Sequence, residues 1–86
     1  MIAAGTVVIS GAGHDCGRAM LVVRIDGDYI FVADGKERKL EKPKKKNQKH
    51  VRVTNRVINP DGLTDRKLRR TLRELFGQDS ALQESE

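Results

Sequence analysis

Aromatic residues are nearly absent from this chain of 86 residues, which has no Trp, one Tyr and two Phe. With a hydrophobic share of 37%, any core must be built from Val, Ile and Leu. Such a core is small, and a chain of this length holds one domain and little more. Its stability is expected to be marginal unless a partner adds to it. Cysteine occurs once, which excludes an internal disulfide and offers no repeated metal-ligand spacing. No apolar run approaches the length of a membrane-spanning helix. Residues 1–5, Met-Ile-Ala-Ala-Gly, lack the basic region and apolar core of a signal peptide, so the protein is expected in the cytoplasm.

Charge is abundant but unevenly placed. Residues 1–34 carry two Arg against four Asp, a net of −2. Residues 36–73 carry fifteen Lys and Arg against four acids, a net of +11, and residues 74–86 carry four acids and no base. The overall +5 therefore hides a strongly polarised chain. A concentrated positive field on a small domain attracts polyanions, nucleic acid first among them. The plainer reading, a basic surface that merely keeps the chain soluble, fits such a dense block less well.

β-branched residues over Thr6–Ser10 mark a first strand, and three Gly within residues 11–17 mark a loop after it. From Arg18 to Ile25, Ala19, Leu21, Val23 and Ile25 alternate with the rest, and both Arg fall on the opposite face. That spacing predicts a half-buried second strand. Asp26-Gly27 is a tight-turn signal, Tyr29–Ala33 returns, and Asp34-Gly35 turns the chain again into a short charged strand over Lys36–Leu40. Such a strand suits an exposed sheet edge. Residues 41–49 contain no apolar side chain and read as a loop, mobile in the free protein. Val51 to about Ile58 resumes alternation as a fifth strand, placing Arg52, Thr54 and Arg56 on its outer face. Five short strands in under 60 residues predict a mainly β fold, a small closed or nearly closed barrel.

The period then changes. Leu68, Leu72, Leu75 and Phe76 form one helical stripe, with Thr64 as N-cap, Leu63 as a hydrophobic staple and Gly77 at the C-terminus. Arg66, Arg69, Arg70 and Arg73 form a second stripe, a possible second basic surface. It faces either a second RNA segment or the acidic residues 78–86, which read as a disordered tail. The domain plan is a barrel over 5–58, a packed helix over 63–77 and the tail.

Gly5-Thr6-Val7-Val8, Ala12-Gly13-His14-Asp15-Cys16-Gly17, Asp34-Gly35 and Arg38-Lys39-Leu40 together resemble small bacterial KOW-domain RNA-binding proteins. Those are similar to a large-subunit ribosomal protein family of archaea and eukaryotes. The KOW motif, also found in NusG-type transcription factors, is a strand, a glycine-bearing loop and a second strand, and Gly17 sits where its glycine belongs. Lys42-Pro43-Lys44-Lys45-Lys46 and Lys49-His50 match the same group's basic run. The likeness covers about residues 5–58. It implies an SH3-like (KOW) barrel of about five antiparallel strands, binding to rRNA or the ribosome, and no cofactor. The lack of a second Cys and of room for a pocket leads to the separate expectation of no catalytic or metal site.

The RNA-contacting residues expected on these grounds are Gly13, His14, Arg18, Arg38, Lys39, Lys42, Lys44, Lys45, Lys46, Lys49, His50 and Arg52. Gly17, Gly27 and Gly35 have structural roles. Glycines let backbone N–H groups approach phosphate. His14 either donates to phosphate or stacks on a base, or else bonds within its own loop. His14, Asp15 and Cys16 are adjacent, and three neighbours rarely converge on one ion. With so few aromatics, extended base stacking is not expected, and recognition should follow backbone and shape. Two other functions compete. In one, the Leu stripe of the helix docks a protein of the transcription or translation machinery; in the other, the barrel binds DNA. A monomer without membrane contact is expected.

Overall fold

The computed structural model describes residues 2–11 and 16–77. Five antiparallel strands form one open sheet: β1 (Thr6–Ser10), β2 (Ala19–Asp26), β3 (Tyr29–Ala33), β4 (Lys44–Asn47) and β5 (Val51–Val57). Their spatial order is β4-β3-β2-β1-β5. A helix, α1 (Asp65–Phe76), follows. The strands at the two edges are consecutive in the chain, joined by one 3-10 turn at Gln48–His50. Four strand spacings on a flat sheet separate the edges by about 19 Å, whereas Asn47 to Val51 spans at most about 14 Å even fully extended. The sheet must therefore curl strongly. A bulge at Val22–Arg24 supplies part of the bend. Gln48 N–H donates to Asp28 O and Gly11 N–H donates to His50 O, tying both ends of the turn to the sheet. No ladder joins β4 to β5 among the described residues, so the expected closure is not complete.

Curling gives the sheet two buried faces. Val8, Met20, Val22, Ile30 and Val32 pack together on one, joined by Ile2 and Val51. Val7, Ala19, Leu21 and Ala33 pack on the other, where Ile58, Leu68 and Leu72 cover them. Residues Ala19–Val22 are consequently buried on both sides, which corrects the expectation of a half-buried strand. Period-two alternation reports only which residues share a face, not whether a helix will cover the second one.

Two further expectations are corrected. Lys36–Leu40 is not a strand, and the fourth strand instead lies at Lys44–Asn47, inside the stretch expected to be a loop. Apolar residues are not needed there, because β4 is an edge strand whose backbone pairs with β3 and whose lysines guard the edge. In β5 the alternation does not report burial either. Val53 and Val57 are 47% and 73% exposed, while the Thr54 hydroxyl donates to Val7 O at 2.6 Å. A register shift opposite Thr6–Val8 breaks the pleat at that point.

At the β2–β3 hairpin, Gly27 has φ +63° while Asp28 stays at negative φ, the pattern of a II′ turn with Gly first. Helix α1 starts and stops as its sequence directs. Thr64 Oγ1 accepts from Lys67 N at 3.2 Å, and Gly77 at φ +64° donates to Arg73 O.

Candidate nucleic-acid interface

The basic surface is organised by a buried acid. Asp34 is 1% exposed. Its Oδ2 accepts from Arg18 Nε at 3.1 Å and pairs with Arg18 Nη2 at 3.0 Å. Its Oδ1 accepts from the backbone N–H groups of Lys36 and Arg38, both at 2.9 Å. Four charge-assisted contacts satisfy the carboxylate in a site where an unpaired charge would be costly. Asp34 N–H and Gly35 N–H both donate to Arg38 O, closing the loop on itself. Residues 36–40 therefore leave the sheet because Asp34 captures their backbone donors.

This loop is also clamped to α1. Leu40 N–H donates to Asp65 Oδ1 at 2.7 Å. A Cβ at Gly35 would overlap the Asp65 carbonyl oxygen and lie 3.1 Å from the Arg69 nitrogen. Gly35, at φ +81°, is thus required twice, by conformation and by the approach of the helix backbone. Arg18, one of the residues expected to contact RNA, pairs with Asp34 and keeps 27% of its side chain exposed.

The lysines fall into distinct environments. Lys39, Lys42, Lys45 and Lys49 are exposed, as are His50 and Arg52, whereas Lys44 and Arg38 are half-buried and Lys46 is buried. Lys46 lies opposite Ile30, on the face packed with Met20 and Val22. Strand register divides Lys44-Lys45-Lys46 between two faces, which a mobile loop would not do. The exposed members make a basic rim running from the clamped loop, along β4, to the 3-10 turn.

On α1, Arg66, Arg69, Arg70 and Arg73 line one groove of about 290 Å³. Among the described residues, no side-chain hydrogen bond or ion pair joins the guanidinium groups of Arg66, Arg69 or Arg70 to a partner. The opposite stripe is divided: Leu68 and Leu72 are fully buried in the core, Phe76 is half-buried and Leu75 is 37% exposed. Two of the four residues required by the protein-docking reading are thus already covered by the sheet. A second groove of about 300 Å³ lies among Ile9, Cys16, Gly17, Arg18, Ala19 and Phe76.

Gly17 has φ +88° and open space around its Cβ position, so conformation alone requires glycine there. Its N–H donates to Ser10 O. Gly13, His14 and the acidic residues 78–86 lie outside the described residues. Sequence reasoning missed Asp34 as a hub, reading it only as a turn residue. Its position directly after the buried Val32-Ala33 pair was the available signal. The pairing of Arg24 with Phe31 and of Lys45 with Tyr29 was also missed, because both depend on strand register. The chain matches no family model and no curated protein sequence.

Proposed function

We propose that this chain is a KOW-type RNA-binding protein with an SH3-like barrel, acting on rRNA or the ribosome and holding the RNA by its phosphate backbone. The observation that carries the reading is the basic rim of Lys39, Lys42, Lys45, Lys49, His50 and Arg52 around an otherwise well-packed sheet. A solvated surface does not need exposed cations gathered along one stretch of chain from the clamped loop through β4 to the start of β5, and like charges placed together repel each other until a polyanion arrives. The sheet order and the 3-10 turn between β4 and β5 support the barrel. The glycine-loop resemblance supports the choice of RNA over DNA. The Arg groove of α1 extends the same field to a second segment of backbone.

The test is binding of a labelled structured RNA as a function of salt. Affinity should fall steeply as salt rises, with the slope set by the number of phosphates neutralised. Replacing Lys39, Lys42 and Lys49 together with Ala should flatten that slope by about 2 and lower affinity by about thirtyfold. Salt-independent binding, or equal affinity of the triple variant, counts against the proposal. Equal or tighter binding of duplex DNA at the same salt would favour the DNA reading.

A further inference from the structure

Part of the sheet's helix-covered face continues beyond the helix. Register places Arg24, Phe31 and Lys45 in one row across β2, β3 and β4, and Asp26, Tyr29 and Asn47 in the next. Tyr29 and Phe31 are two residues apart on β3, so both rings stand on the same face. Farther along that face Ala33 is buried with Leu68 and Leu72, but Phe31 is half-buried and Tyr29 is 41% exposed. The guanidinium carbon of Arg24 lies 4.1 Å from the Phe31 ring centroid. Lys45 Nζ lies 4.6 Å from the Tyr29 centroid. The chain's only Tyr and one of its two Phe are thus gathered, with a cation over each, beside the lysine rim.

We infer that Tyr29, with Lys45 beside it, forms a stacking site for an unpaired RNA base, a deepening that rests on the RNA-binding reading above. The ring face now under Lys45 is the one a base would take. The ammonium can move from the ring to a backbone phosphate on the β4 side while the base replaces it. An exposed cation–π contact is weaker than base–aromatic stacking, so the exchange favours the bound state. Asp26 lies across from Tyr29 on the β2 side and repels phosphate. The backbone is therefore directed along β4, with the base pointing inward over β3. A single stacked base is compatible with the expectation that extended base stacking is absent.

The full chain tests this directly, because it has no Trp and Tyr29 is its only Tyr. Intrinsic tyrosine fluorescence therefore reports this one position. A short single-stranded oligocytidylate should quench it, and an abasic oligomer with the same number of phosphates should not. The abasic oligomer should also bind about tenfold more weakly. Tyr29→Ala should lower affinity for the base-bearing oligomer about tenfold and leave the abasic oligomer unchanged. Tyr29→Phe should restore the affinity. Equal affinities for the two oligomers with unquenched fluorescence would overturn the stacking site while leaving backbone binding intact. Failure of both oligomers to bind at low salt would overturn the RNA-binding reading itself.

Discussion

The lysines of the rim and the arginines of α1 carry the same charge but are held in place by different means. The rim is fixed by backbone: β4 pairs with β3, its last residues are tied to the β2–β3 hairpin through Gln48, and side-chain facing follows from register. The arginine groove is fixed by packing. Leu68 and Leu72 anchor the helix to the sheet, and Gly35 and Leu40 hold its first turn. The β4 part of the rim therefore survives as long as the sheet does, whereas Lys39 at the rim's start and the first turn of the helix both depend on a loop organised by a single buried carboxylate. Their separation is small. Leu40, next in the chain to Lys39 of the rim, donates its N–H to Asp65 in the first turn of α1.

The strongest way to break this arrangement is Asp34→Ala. It leaves the Arg18 guanidinium and two backbone N–H groups without their acceptor, and it should lower the unfolding free energy by about 3 kcal/mol in a denaturant titration. A loss below about 1 kcal/mol would show that the hub is dispensable. Gly35→Ala is next, with an expected cost of about 2 kcal/mol from the positive φ and the overlap with the helix backbone. Hydrogen exchange should show faster opening of α1 amides with little change in β1 and β2. Uniform acceleration across the chain would mean that the clamp does not act on the helix alone.

Function separates the two surfaces further. Replacing Arg66, Arg69 and Arg70 with Ala should weaken RNA binding about tenfold, less than the triple lysine variant of the rim, because the groove is the secondary surface. If the arginine variant is the weaker binder, the order of importance is reversed. A smaller effect is expected for Thr64→Ala, which removes the N-cap acceptor of Lys67 N–H and should cost about 1 kcal/mol of stability by thermal melting. The smallest belongs to Val57→Thr. At 73% exposure this valine contributes little to the core, and stability should change by no more than about 0.5 kcal/mol. A larger loss would mean that Val57 is covered in solution.

Much of this was legible from residue order. β1 and β3 fall on the expected residues, β2 within a residue of its expected span, and α1 with both caps as read. Turn chemistry and periodicity are local, and these elements obey local rules. The fourth strand was not legible, because Lys44–Asn47 has no strand-forming side chain and pairs only because β3 offers it an edge. Nor was the loop before it, where Asp34 overrides a plausible strand by accepting from two backbone donors. In β5, Val53 and Val57 alternate like core residues yet are exposed, because β5 is an edge strand and Val57 also lies past the register shift opposite Thr6–Val8.

The sequence by itself determined the sign and location of charge, the first three strands, the helix and its ends, and the scarcity of aromatic rings. Tertiary structure alone decided which lysines face water, which arginine is bound to the buried aspartate, and that Tyr29 and Phe31 stand together under cations. The physical reason is that charge and period are properties of residue order. Facing, burial and pairing arise only when a curled sheet brings residues far apart in the chain onto one surface.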